Sequence, residues 1–155
     1  MTVHRHRFRV RYGETDQMGY VHHSVYLLYF EEGRTGLMRD LGRPYAALER
    51  EGTILPVAEA SLRFRTPARY DEELIVEARV AEVTGVRVRF DYRVLHAEDG
   101  SLAAEGHTTL ASCDGEGRPR RMPADLADLL RSAVEEGAAP AVVQGGRSPH
   151  RRSRP

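Results

Sequence analysis

The chain has 155 residues and no lysine, so its 23 basic residues are all arginine and are matched by 23 acidic ones. Without an excess of either sign, there is no general attraction to nucleic acid or to an anionic membrane. The missing lysine reads as base-composition bias rather than chemistry. A single cysteine, Cys113, excludes an intramolecular disulfide and fits a reducing, cytoplasmic setting. The N-terminal MTVHRHRFRV is basic and lacks the apolar stretch of a secretory leader. No apolar run approaches the ~20 residues of a membrane span, so neither secretion nor membrane insertion is expected. No internal repeat is visible. The pairs His4/His6 and His22/His23 lack a third ligand at suitable spacing and read as unliganded surface histidines; no metal site is expected.

Against these absences, one stretch stands out. Tyr12 to Arg34 reads YGETDQMGYVHHSVYLLYFEEGR, and it changes character midway. Gly13 to Gly19 gathers Thr15, Asp16 and Gln17 between glycines, which is turn chemistry. From Tyr26 onward the apolar residues Tyr26, Leu27, Tyr29, Phe30, Leu37, Met38 and Leu41 recur near helical spacing and cover a wide face. The helix is expected to begin near His23 or Ser24 and to stop at Gly42, which suits the left-handed position past a helix end. A carboxylate beside the N-terminus of such a helix would sit close to unpaired N–H groups and the positive end of the macrodipole. That is the skeleton of an acyl-transfer site. Asp16 beside glycines is equally suited to capping the helix or tying a turn, and the residues alone leave both open.

The rest reads as support. Phe8 to Tyr12 alternates and is predicted to be a strand leading into the Asp16 loop. A short helix is predicted from Pro44 through Glu51. Strands are predicted over Ile54–Val57 and Glu59–Arg65, then over Leu74–Val83 and Val86–Leu95 as a hairpin turning at Thr84 and Gly85, then over Leu102–Ser112 with Gly106 as a bulge or close-approach site. Pro123 to Glu136 is a predicted amphipathic helix. Residues 137–155, rich in Ala, Gly, Pro, Ser and Arg, read as a disordered tail after a single domain spanning 1–136. The fold class is α+β: a curved antiparallel sheet wrapped around a long helix. Such a sheet leaves edges, so a homo-oligomer is expected, a dimer or a tetramer of two dimers.

Tyr12, Thr15, Asp16, Gly19, Val21, His23, Tyr26, Tyr29, Phe30, Glu31 and Arg34, followed by Pro67, Ala68, Arg69, Tyr70 and Asp71, together resemble the signature of the hotdog-fold acyl-CoA thioesterases, in the 4-hydroxybenzoyl-CoA thioesterase and YbgC-like group. The similarity runs from about Phe8 to Leu126. It implies a hotdog fold and hydrolysis of acyl-CoA thioesters without a metal or organic cofactor, coenzyme A being part of the substrate. It implies that Asp16 attacks the thioester carbonyl or activates a water, that the His23 backbone N–H polarises the carbonyl oxygen, and that the site lies at a dimer interface. Release of acyl chains from acyl carrier protein, or acyl-CoA binding without catalysis, are the competing readings.

Around that pair, Tyr20, His22, Tyr26 and Arg87 are the candidate substrate contacts, Arg87 through the coenzyme A phosphates. The family often has Tyr-His-Ala-Asn or Trp-Tyr-Pro-Asn where this chain has His22, His23, Ser24 and Val25. The departure bears on substrate choice more than on the reaction, because a main-chain donor survives a side-chain change. Glu31 is a minor alternative for a catalytic carboxylate; with Arg34 three residues on, its default reading is a structural ion pair. Arg63, Arg65 and Arg89 are expected to point outward, and Cys113 to be inert.

Overall fold

The computed structural model describes residues 2–135. In chain order it contains β1 (Val3–Arg9), a 3-10 turn (Tyr12–Glu14), α1 (Val25–Asp40), α2 (Tyr45–Arg50), β2 (Thr53–Ile54), β3 (Val57–Phe64), β4 (Glu73–Val83), β5 (Arg87–His96), β6 (Leu102–Ala111), β7 (Cys113–Asp114) and α3 (Ala124–Glu135). The five long strands form one antiparallel sheet in the order β1-β4-β5-β6-β3, and β2 pairs with β7 in a separate two-stranded ladder.

Alternation along the strands separates the faces. Val76, Ala78 and Val80 on β4 and Phe90, Tyr92 and Val94 on β5 are buried. Their neighbours in sequence build a chequerboard of ion pairs on the other face: Arg5 and Arg93 on Glu77, and Arg79 and Arg89 on Asp91. α1 lies across β1, β4 and β5 on the apolar side, and α3 packs on β4. Phe30, Leu37 and Met38 of α1 are fully enclosed, each worth about 1.5–3 kcal/mol relative to exposure. Glycine at position 36 lets α1 approach β1, since a side chain there would run into the His4 imidazole. The helix ends as its sequence requires: Gly42, at φ 79°, and Arg43 donate to the carbonyls of Arg39 and Met38, closing a Schellman motif.

Several expectations are corrected. The first strand is Val3–Arg9, not Phe8–Tyr12; its half-buried residues are His4, His6 and Phe8, so two histidines take positions where apolar residues were sought. Tyr12 lies in the 3-10 turn and is 79% exposed. The segment Ile54–Val57 is interrupted at Leu55 and Pro56, and β2 leaves the main sheet to pair with β7; Pro56 has no N–H to continue a ladder. Leu27 faces outward, as does Leu28. Gly106 is a close-approach site rather than a bulge: a Cβ there would collide with the Ser61 carbonyl, and the register shifts fall elsewhere. Arg63 and Arg65, by contrast, are exposed as expected, and Cys113 is buried and free. The expected tail lies outside the described residues.

Candidate active site

Asp16 heads a tight hairpin between the 3-10 turn and α1. Asp16 N donates to Tyr20 O at 2.7 Å, Gly19 N to Asp16 O at 2.9 Å and His22 N to Glu14 O at 2.9 Å. The Asp16 side chain takes part: its Oδ1 accepts the Tyr20 N–H at 3.1 Å, the local bonding that aspartate favours in turns. One carboxylate oxygen is thereby committed to the turn, and Oδ2 makes no hydrogen bond within the described residues. The turn-tying reading of Asp16 is thus met through Oδ1 alone.

Where this hairpin meets α1, the histidines divide the work. His22 Nδ1 accepts the Ser24 N–H at 3.2 Å and lies 2.7 Å from Ser24 Oγ; Val25 N donates to His22 O. An imidazole thus supplies the cap that Ser24 does not, since Ser24 makes no side-chain capping bond. The His23 ring is exposed and stacks on His22 at 4.1 Å. Among the described residues, the His23 backbone N–H has no acceptor. A free N–H at the start of a 16-residue helix is suited to a developing negative oxygen.

Glu14 ties this assembly to the helix, a role that sequence reasoning missed. Its Oε1 accepts from Arg11 N at 2.7 Å and from the Tyr29 hydroxyl at 3.2 Å. Burial first, and then the Glu14 carboxylate, push the Tyr29 hydroxyl well above its ordinary range; burial and then Glu72 raise that of Tyr26. Both therefore stay neutral at physiological pH. The 15-residue separation of Glu14 and Tyr29 carries no sequence signal for this contact. Behind the hairpin, Val21 N donates to Ala68 O at 2.8 Å, and the Arg69 guanidinium lies 4.8 Å from the centre of the Tyr20 ring.

The remaining candidates scatter. Tyr26 is 3% exposed and packs edge-on against Phe64 and Tyr29, inside the core. Glu31 is exposed, and the expected Glu31–Arg34 ion pair does not form. Arg34 turns inward, donating from Nη1 to the Tyr92 hydroxyl at 3.1 Å and to Thr108 Oγ1 at 3.5 Å, because the space under α1 offers buried acceptors and its outer face only water. Arg87 lies at the hairpin end of β4 and β5, beside an open cleft of about 330 Å³ lined by Glu59, Glu82, Arg89, His107 and Thr109. The Asp16 hairpin adjoins the opposite end, where Val10 N meets Glu72 O. Eleven residues of β4 separate the two ends, ~35 Å of strand. Asp16, Tyr20, His22 and His23 are thus brought together on one hairpin; Tyr26 lies in the core against Tyr29 and Phe64, and Arg87 does not join them within one chain. No group of three or more His, Cys, Asp or Glu side chains suited to a metal occurs among the described residues.

An antiparallel sheet packed on a long helix, with the hairpin of Asp16 entering that helix, defines a hotdog-fold protein. The chain belongs to the thioesterase-like superfamily, whose model matches residues 10–130. YneP of Bacillus subtilis is 36% identical over 116 residues, covering 75% of this chain and 83% of its own. The acyl-CoA thioester hydrolase YbgC of Escherichia coli is 28% identical over 126 residues, covering 81% and 93%. In structure, the DHNA-CoA thioesterase of Staphylococcus aureus superposes with a TM-score of 0.80 at 28% identity, over 85% of this chain and 91% of that one.

Proposed function

We propose that this protein hydrolyses acyl-CoA thioesters to the free acid and coenzyme A. The observation that supports the reading is that Asp16 Oδ2 and the His23 N–H, both on the hairpin that enters α1, have no hydrogen-bond partner among the described residues. The thioester carbonyl would rest on the His23 N–H, which interacts most strongly as charge builds on its oxygen. Asp16 then acts in one of two ways. As a base, it takes a proton from water while the hydroxide equivalent adds to the carbonyl; collapse breaks the C–S bond and the thiolate leaves protonated. As a nucleophile, its oxygen adds to the carbonyl carbon, the thiolate leaves, and water hydrolyses the resulting anhydride. Neither route needs a metal or an organic cofactor.

The working unit of this proposal is a homodimer joined through β3. That strand forms one edge of the sheet, and Val57 and Phe64 on it are 49% and 53% exposed, an edge that pairing would cover. If Arg87 holds coenzyme A phosphates at an Asp16 site, it must do so from a second copy, since the two lie at opposite ends of one chain. No helix among the described residues is long and apolar enough to cross a membrane.

The test is release of free thiol from acyl-CoAs ranging from short aliphatic to aromatic, with Asp16→Asn alongside and light scattering for the oligomeric state. Turnover by the wild type and none by Asp16→Asn supports the reading. Binding without turnover of any acyl-CoA would move the assignment to acyl carrier protein substrates or to binding alone.

A further inference from the structure

The turn that backs the Asp16 hairpin is held by a three-residue chain that no local sequence pattern announces. Thr66 Oγ1 lies 2.8 Å from His96 Nε2. On the other side of that ring, His96 Nδ1 meets Glu72 Oε1. Glu72 Oε2 in turn accepts the Arg69 N–H at 3.0 Å. His96 is 9% exposed, so the middle of the chain is shielded from water, where hydrogen bonds gain strength.

By its members, a hydroxyl, an imidazole and a carboxylate, this resembles a nucleophilic triad, but the hydrogens run the wrong way. Thr66 Oγ1 also lies 2.8 Å from Leu102 O, which can only accept. The one hydroxyl hydrogen goes there, and Oγ1 then accepts from His96 Nε2–H. A base that activates a hydroxyl needs the opposite arrangement. Thr66 is therefore an anchor for the ring and not a nucleophile.

What the chain holds is the turn from Thr66 to Glu72, and that turn needs holding. Asp71 sits at φ 62°, the only non-glycine residue with positive φ among those described, a conformation L residues rarely adopt. The turn is bound to the strand leading into the site through Asp71 N to Val10 O and Val10 N to Glu72 O, both at 3.0 Å. It is bound to the site's hairpin through Val21 N to Ala68 O and through Arg69 over the Tyr20 ring. The Tyr20 N–H is the donor that fixes Asp16 Oδ1.

We propose that Glu72 and His96, anchored by Thr66, are positioning residues for the acyl-transfer reaction, setting Asp16 through the 66–72 turn. This role rests on the reading of Asp16 as the reacting carboxylate. Neither residue touches the reacting atoms, so their loss should misplace Asp16 without removing it. A displacement on the order of 1 Å at a reacting group costs up to ~10²-fold in rate.

Two measurements on full-length protein test this together. Amide hydrogen exchange reads the positioning directly: in Glu72→Ala and His96→Ala, the Tyr20 and Val21 amides should exchange on the order of tenfold faster or more, while β5–β6 amides keep wild-type rates. Thiol release should show kcat lowered at least ~10-fold with KM within about twofold. Thr66→Ser, which keeps the hydroxyl, should match wild type in both, and Thr66→Val should follow the alanine variants. Unchanged exchange at Tyr20 and Val21 overturns the proposal, as does faster exchange with unchanged kcat. A loss of kcat accompanied by faster exchange throughout β5–β6 also overturns it, since that is general destabilisation. Asp16→Asn with wild-type turnover would instead overturn the reading of Asp16, while the exchange rates still report on the chain of bonds.

Discussion

The sheet with α1 and the hairpin with its backing turn are built on different physical terms. In the first, burial is redundant: Phe30, Leu37, Tyr92, Val94 and their neighbours exclude water together, and each contact is one of many. In the second, single hydrogen bonds carry the geometry, such as Tyr20 N to Asp16 Oδ1, Val21 N to Ala68 O and Tyr29 to Glu14. The contrast teaches where damage should appear. Changes in the sheet and helix should cost stability and leave the chemistry of the folded fraction intact; changes in the hairpin should do the reverse.

The largest effect expected is on the chemical side. Asp16→Asn keeps an oxygen for the Tyr20 N–H and removes the charge, so kcat should fall ~10²–10⁴-fold while the thermal midpoint stays near that of wild type. A fall in both would erase the contrast. Next comes Phe30→Ala in the core. Phe30 is fully buried and stacked 4.3 Å from Tyr92, and its truncation should cost ~3–5 kcal/mol in urea unfolding with turnover per folded molecule retained.

Gly106→Ala should cost less, ~1–3 kcal/mol, because the added methyl meets the Ser61 carbonyl and forces the β3–β6 pair apart. A neutral result would mean that edge yields freely. The smallest effect falls where the two regions touch. Tyr29→Phe gives up the bond to Glu14, about 0.5–1.5 kcal/mol, and it should also alter the alkaline limb of the stability curve. Burial and the Glu14 carboxylate hold the Tyr29 hydroxyl above its ordinary value near 10, so the unfolded chain ionises first. Its stabilising contribution is complete below that value and declines as pH climbs above it. Urea midpoints of wild type and Tyr29→Phe should therefore differ at neutral pH and converge as the pH climbs above ~10.

Much of the fold could be read from local patterns, and the failures have local causes. β4, β5 and β6 follow their alternation closely. β1 was displaced because His4 and His6 occupy inner-face positions that a search for apolar residues passes over. Arg34 was assigned to Glu31 by helical spacing, whereas its partners Tyr92 and Thr108 lie 58 and 74 residues away. In the site, the turn chemistry around Asp16 and the helix start after His23 were legible. The link from Glu14 to Tyr29 was not, since the two are 15 residues apart and on different elements.

The sequence by itself determined β4, β5 and β6, the span of α1 with its stop at Gly42, and the turn that carries Asp16. Period, breakers and side-chain bonds to the nearby backbone act within a few residues and need no distant partner. Only the tertiary structure decided that Arg34 turns inward, that Arg87 stands at the far end of β4 from Asp16, and that Thr66 and Glu72 meet across His96. Those residues are separated by 30 and 24 positions, and their hydrogen bonds exist only once the sheet has brought their strands together and excluded the water that would otherwise satisfy them.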